Sequence, residues 1–169
     1  MIKIRKNCFE TNSSSTHAIC IPDTLSYTPK HVDFSIGEWG WSVDNPAPED
    51  YLYTAILEIY GDSEEKLQEK LNTLKTMLTN NGISFSFSEP HWSDDDSNWR
   101  YLEDGGIDHG DELSELVDDL LNNEELLMKY LAGAEICTGN DNSDYSHDAP
   151  NKLYDNKAAQ GWRCYWKGN

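Results

Sequence analysis

Near its N-terminus the chain reads Phe9-Glu10-Thr11-Asn12-Ser13-Ser14-Ser15-Thr16-His17, a run of polar side chains between two short apolar segments. The flanking segments, residues 2–5 and 18–21, alternate or run apolar as strands do, so the polar run is predicted to be the loop that connects them. Asn and Ser side chains bond to nearby backbone and leave main-chain N–H groups facing outward, and small anion-binding concavities form in this way. The stretch therefore predicts a loop held on two rigid strands.

Two interpretations of this loop stay open. In the first, Asn12, Ser13, Ser14 and Ser15 bind an anionic ligand and His17 accepts a proton. In the second, these side chains only satisfy a tight turn and His17 is an ordinary strand residue. A serine nucleophile such as Ser15, with His17 as its base, would also need a third orienting group, and the chain has no Gly-x-Ser-x-Gly elbow to expose it.

Two further polar clusters adjoin apolar strand candidates: Ile107-Asp108-His109-Gly110 and the run from Thr138 to Asp141. If the three loops meet, His17, His109, Asp108 and Asp141 would offer two imidazoles and two carboxylates, which suits acid–base chemistry or a divalent metal, and Asn140 would help to bind the ligand. The structural alternative is that Asp108 caps the helix beginning near Asp111 and that Asp141 is a turn residue.

The charge of the chain is strongly acidic and unevenly distributed. Thirty-one acids and thirteen bases give a net charge of −18. Residues 38–148 hold 27 acids and 5 bases, and in residues 89–125 fourteen acids accompany only Arg100. Such a field repels nucleic acid and anionic membranes and attracts basic protein surfaces or cations. The plainer alternative is a solvated surface that serves solubility alone.

The acids of residues 111–125 have a spacing that resembles a nucleic acid. Seven carboxylates and no base occupy this helical stretch. At 1.5 Å per residue they span about 22 Å, or one charge per ~3 Å, and a DNA strand carries one per ~3.4 Å. Together with the aspartate run before them they are the candidate partner-binding residues: Asp94, Asp95, Asp96, Asp111, Glu112, Glu115, Asp118, Asp119, Glu124 and Glu125.

The hydrophobic pattern predicts a single acidic α+β domain over residues 1–169, with a mixed or antiparallel sheet of about five to seven strands and about four helices. The clearest helix covers residues 63–78, with leucines on one face. Residues 89–110 are predicted to be a long exposed acidic loop around one short strand. A proline-containing loop is predicted after the polar run that ends at Asp144, before a final aromatic strand at residues 162–166.

The chain has no run of about 20 apolar residues and no apolar segment after its N-terminal basic residues, so a cytoplasmic protein is expected. Its cysteines lack Cys-x-x-Cys spacing and are expected to be reduced and buried. They are Cys8, Cys20, Cys137 and Cys164.

Three motifs of the chain resemble the motif set of a family of small uncharacterised bacterial and phage-borne proteins. They are residues 9–17, Ile107-Asp108-His109 and Thr138-Gly139-Asn140-Asp141. The similarity covers the chain from the first strand to about Asp144. It implies that the three polar loops belong together, and it supplies no reaction.

Two functional hypotheses follow. The first is a non-enzymatic protein of phage or mobile-element type, without a cofactor, which acts in the host cytoplasm. By mimicking nucleic acid it would inhibit a basic, nucleic-acid-binding host defence protein, such as a CRISPR nuclease, and would bind neither nucleic acid nor membrane. The second is an enzyme or ligand-binding domain for a nucleotide or phosphate ester, with a divalent metal on Asp108 or Asp141 and His17 or His109 as base.

Overall fold

The computed structural model describes residues 15–94, 100–140 and 144–168, with only the backbone of Asp94 and Arg100. Several predictions fall outside these residues. They concern the strand at residues 2–5, the ligand-binding Asn12, Ser13, Ser14 and Asp141, and the acids Asp95 and Asp96.

Within the described ranges the chain forms five α-helices and nine strands. The helices are α1 (Pro48–Tyr60), α2 (Glu64–Asn80), α3 (Ser114–Asn122), α4 (Glu124–Gly133) and α5 (Asp144–Ala159), and a 3-10 turn (Gly110–Leu113) leads directly into α3. The strands are β1 (Ser15–Ile21), β2 (His31–Phe34), β3 (Glu38–Trp39), β4 (Ser84–Phe87), β5 (Trp92–Asp94), β6 (Arg100–Leu102), β7 (Gly106–Ile107), β8 (Glu135–Asn140) and β9 (Arg163–Lys167).

The single-domain α+β class is confirmed, and the strands are distributed over four small sheets. The largest is antiparallel, with strand order β8-β1-β9. Strands β2 and β4 pair in parallel, and the chain between them forms β3, α1 and α2, as a parallel connection requires a crossover. The other two sheets are the pairs β3-β7 and β5-β6.

Helices α1 and α2 begin where their sequences favour a start. Pro48 occupies the first turn of α1, where its missing N–H costs nothing, and two acids follow it at the positive end of the helix dipole. The Ser63 side chain accepts a hydrogen bond from the N–H of Lys66 and caps α2. The leucine stripe of α2 is buried, as predicted.

Strand β1 is the centre of the fold, and all seven of its residues are buried. Helices α5 and α4 both contact β1. Burial along β1 is therefore continuous and does not alternate between successive residues. The predicted loop boundary was wrong, because Ser15, Thr16 and His17 belong to this strand. All three pair with β8, where Ser15 faces Asn140, and His17 also pairs with β9, where it faces Lys167.

Two other boundaries also differ from the prediction. The region 89–110 is not one long loop, since β5 pairs antiparallel with β6, and β7 pairs in parallel with β3. The proline-containing loop is instead α5, which keeps Pro150 inside the helix. Packing of α5 against β8, β1 and β9 offsets the cost of the proline, and Pro150 is buried there.

Across the described ranges, the helices are too short or too polar to cross a membrane.

Candidate functional site

The described residues of the three polar motifs, Ser15 to His17, Asp108, and Thr138 to Asn140, lie together at one end of the central sheet. Because β1 lies between β8 and β9, Ser15 and His17 stand opposite Asn140 and Thr138 on one side, and His17 stands opposite Lys167 on the other. Asp108 follows β7, and its backbone carbonyl accepts a hydrogen bond of 3.1 Å from Ser15 Oγ. We call Ser15, His17, Tyr51, Asp108 and Lys167 the polar cluster.

His17 has no exposed surface, and its environment keeps the ring neutral. Its Nδ1 lies 2.6 Å from the Tyr51 hydroxyl oxygen. Burial lowers the pKa of His17 to about 2, and the charges of Lys167 and His109 act in the same direction. Its Nε2 is buried and has no hydrogen-bond partner among the described residues. The ring therefore acts as a neutral hydrogen-bonding group at physiological pH.

Lys167 brings a positive charge into the interior. The residue is 4% exposed, and its Nζ donates to Ser15 Oγ and to the Asp108 carbonyl. Burial lowers the pKa of Lys167, while the charges of four acids raise it; these are Asp108, Glu112, Asp111 and Glu58. Sequence reasoning missed this residue, because its partners Ser15 and Asp108 are distant in the sequence.

Gly40 lets the segment after β3 approach the polar cluster. Its φ is +112°, and a Cβ at this position would lie 2.7 Å from Asp108 Cβ and 3.3 Å from His17 Nε2. Only glycine combines such a backbone with so little space. Close backbone packing therefore closes this side of the cluster.

His109 is exposed, in contrast to the buried ring of His17. It adopts a left-handed backbone (φ +55°), and its side chain is 57% exposed with Nε2 4.0 Å from Asp108 Oδ1. Asp108 does not cap the helix, because His109 holds the cap position of the 3-10 turn and no side chain caps it. The two histidines thus occupy different environments at the same end of the sheet.

Asn140 is 6% exposed and fixes the chain that follows β3. Its Nδ2 donates to the carbonyl of Trp41. Two residues earlier in β8, Thr138 forms a backbone bridge with Asp44. Asn140 therefore has a structural role, since its side chain holds the segment after β3 against the end of the sheet.

None of the residues that line two clefts of the described structure belongs to the polar cluster. A cleft of about 300 Å³ lies between the start of α1, strand β8 and helix α5, and it is lined by Asn45, Pro46, Ala134, Glu135, Ile136 and Leu153. Among the described residues, no group of three or more His, Cys, Asp or Glu side chains is arranged to hold a metal ion.

The acids of the 3-10 turn and α3 lie on one side of the helix. The opposite side is buried in the core through Leu113, Leu116, Val117, Leu120 and Leu121. We call the outward acids the acidic face: Asp111, Glu112, Glu115, Asp118 and Asp119. Burial of the leucine side thus places the carboxylates on the solvent side.

Internal partners neutralise one end of the acidic face. Asp118 Oδ1 lies 2.8 Å from Lys70 Nζ and accepts from the Tyr60 hydroxyl at 2.9 Å, and its bond to Lys70 lowers the pKa of the carboxyl. Asp119 pairs with Arg163 and accepts from the Tyr165 hydroxyl.

The other end of the acidic face remains open. Asp111, Glu112 and Glu115 are exposed, and none of the ion pairs within residues 15–94, 100–140 and 144–168 involves them. Glu124 and Glu125 begin α4 beyond the face; Glu124 accepts from Asn81, and Glu125 pairs with Lys129 at 2.8 Å.

The fold and the site define an α+β protein with a buried polar cluster beside a one-sided acidic helix. Comparisons with protein-family models, with curated proteins and with solved structures find no match for this chain.

Proposed function

We propose that this protein binds the phosphate-binding surface of a nucleic-acid-binding protein and blocks it by mimicking nucleic acid. The acidic face is the contact surface in this proposal. The observation that carries it is the one-sided arrangement of five carboxylates from Asp111 to Asp119, with the opposite side of the helix buried. A basic groove that accepts a row of phosphates would meet a row of carboxylates.

The spacing supports the same conclusion. The residues from Asp111 to Asp119 span about 12 Å along a helix axis, so the five carboxylates recur every ~3 Å, compared with ~3.4 Å for the phosphates of one DNA strand. Asp111, Glu112 and Glu115 are exposed and take part in none of the ion pairs of the described residues, whereas Asp118 and Asp119 are paired with Lys70 and Arg163. The axial spacing thus supports a phosphate-like ladder, of which Asp111, Glu112 and Glu115 are the exposed, unpaired members among the described residues.

Overall charge would strengthen the approach to a basic partner. With a net charge of −18 the chain attracts cationic surfaces over a distance of roughly one Debye length, ~8 Å at physiological salt. Association would therefore be fast at low salt and sensitive to ionic strength. A host defence nuclease guided by RNA, whose channel is positively charged, is the partner class that the proposal favours.

The second candidate, an enzyme or ligand-binding domain for a nucleotide or phosphate ester, has one observation in its favour, the meeting of the three polar clusters. The burial of the polar cluster argues against this second candidate. Ser15, His17 and Lys167 are at most 4% exposed, and the low pKa of His17 opposes a role as general base.

The proposal is tested with a panel of three purified proteins: an RNA-guided DNA nuclease with its guide, a helix-turn-helix repressor and a single-strand-binding protein. The DNA affinity of each is measured with and without this protein. For at least one of them we expect inhibition that weakens tenfold or more as salt rises from about 50 to about 200 mM.

Two triple variants remove the same charge from different surfaces. Asp111→Asn, Glu112→Gln and Glu115→Gln open a gap in the acidic face, whereas Asp62→Asn, Glu65→Gln and Glu69→Gln change exposed acids at and near the start of α2. We expect the first variant to lose at least tenfold in inhibition and the second to stay within about twofold of the unmodified chain. Equal losses in both variants, or no inhibition of any panel member at low salt, would contradict the proposal.

A further inference from the structure

Two of the cysteines face each other across the central sheet. Cys20 in β1 and Cys164 in β9 are direct partners in the antiparallel register. Directly opposite residues in such a pair have Cα atoms about 4.5 or about 5.5 Å apart. Disulfides form when this separation is about 4.4 to 6.8 Å, so either type of pair brings the backbones within bonding range.

The side chains also meet. The two thiols are close enough that each shifts the pKa of the other. Cys20 is fully buried, whereas Cys164 keeps part of its surface exposed. Lys157 of α5 and Glu135 of β8 are the charged groups that act on this pair. An oxidant from solution would therefore reach Cys164 first.

We propose that Cys20 and Cys164 are a reversible disulfide site that fastens the last strand of the chain to β1. The inference does not depend on the proposed function. The oxidant class is a small disulfide such as glutathione disulfide.

The chemistry proceeds by two thiol–disulfide exchanges. The Cys164 thiolate attacks glutathione disulfide, forms a mixed disulfide and releases one glutathione thiolate. The Cys20 thiolate then attacks the Cys164 sulfur and releases the second glutathione. The two cysteines lose two protons and two electrons, and the oxidant is reduced to two glutathione molecules. Burial raises the pKa of both thiols, so the exchange is slow at neutral pH and faster in alkaline solution.

The crosslink would hold the strand that carries Lys167. Since β9 is at the edge of the sheet, it is paired only with β1 among the strands of the described structure. A bond between residues 20 and 164 closes a loop that covers most of the chain. Such a loop restricts the unfolded state, and the oxidised protein is expected to melt at least about 5 °C higher than the reduced protein.

The experiment incubates the folded protein with excess glutathione disulfide at about pH 8.5, where ordinary thiols are half ionised. Peptide mapping by mass spectrometry then identifies the linked peptides. We expect one link, between Cys20 and Cys164, in a protein lighter by two hydrogen atoms, and its loss on treatment with dithiothreitol.

Matched variants decide which cysteines take part. Replacing Cys8 and Cys137 by serine removes the other two thiols and should leave the link and the thermal shift intact. Cys164→Ser should abolish both. A link to a different cysteine, or free Cys20 and Cys164 thiols after prolonged oxidation of the unmodified protein, would overturn the proposal without relying on any variant.

Discussion

His17 Nδ1 lies 2.6 Å from the hydroxyl oxygen of Tyr51, and both residues have no exposed surface. The contact joins the central strand β1 to the first turn of α1. The Trp39 ring packs against Tyr51 with the centroids 5.7 Å apart, which closes the pair from the side of β3. A buried polar pair of this kind stabilises the fold only while both members keep their partner.

Replacement of Tyr51 by Phe removes the hydroxyl and leaves His17 Nδ1 without its described partner. We expect the free energy of unfolding to fall by about 1–3 kcal/mol, the cost of an unsatisfied buried polar group. Urea denaturation measures this change. Tyr145→Phe is the matched control, because that side chain is 73% exposed, and it should change stability by less than about 0.5 kcal/mol. Equal effects would mean that the His17 contact contributes nothing.

Stability should also depend on pH through His17. Its pKa is about 2 in the folded protein and close to 6.5 in the unfolded chain, so between these values only the unfolded chain binds the proton. The free energy of unfolding therefore falls progressively as pH drops below about 6.5, by up to ~1.4 kcal/mol per pH unit.

A comparison with His17→Gln isolates this contribution. Between pH 7 and pH 5 the unmodified protein should lose about 2 kcal/mol more than the variant. The range stops at pH 5 because carboxyls with lowered pKa values add losses of the same sign in more acidic solution; these are Asp33, Asp104, Asp118 and Glu125. Parallel losses in the two proteins would show that His17 titrates normally when folded.

Sequence reasoning was reliable where the pattern depends on one face of an element. The stripe of Leu67, Leu71, Leu74 and Leu78 with a Ser63 cap locates α2 almost to the residue. Period-two alternation at residues 83–88 likewise locates β4. The leucine side of α2 is buried and the phenylalanine side of β4 is half-buried, while the opposite sides are mostly exposed, so the spacing of apolar residues in the sequence follows the spacing of burial.

Tertiary contacts decided the elements that sequence reasoning misplaced. Ser15 and His17 look like loop residues, and they lie in a strand because β8 pairs with both of them and β9 pairs with His17. Pro150 predicts a loop, and it lies within α5 because the helix packs on the sheet. Lys167 carries no local signal for burial, since its partners, Ser15 and the Asp108 carbonyl, are distant in sequence.

The buried charge of Lys167 should contribute to the stability of the fold. Lys167→Met keeps the length of the side chain but removes the donors to Ser15 and Asp108 and the charge that faces four acids. We expect a loss of at least about 2 kcal/mol in the free energy of unfolding, since breaking a buried charge network is costly. Part of this loss should be recovered in high salt, which screens the remaining acids.

Lys152→Met is the control for the loss of a lysine charge. Its side chain is 76% exposed, and Nζ lies 3.6 Å from Asp148 Oδ2 in a helical ion pair. Exposed pairs of this kind contribute well under about 1 kcal/mol. Chemical denaturation of both variants in the same buffer compares them directly, and similar losses would contradict the role assigned to Lys167.

Gly40 should tolerate replacement poorly, because both its backbone and its surroundings favour glycine. At Gly40→Ala, the backbone φ of +112° strains any L residue, and the added Cβ would lie 2.7 Å from Asp108 Cβ. Gly82→Ala separates the two effects, because its φ is +70° and nothing lies within 4 Å of the added atom. Backbone strain alone should cost the Gly82 variant about 1–2 kcal/mol, while overpacking adds about 1–3 kcal/mol at Gly40. Urea denaturation should show that Gly40→Ala loses more free energy of unfolding than Gly82→Ala. Equal losses would mean that the segment after β3 shifts away from Asp108 and His17.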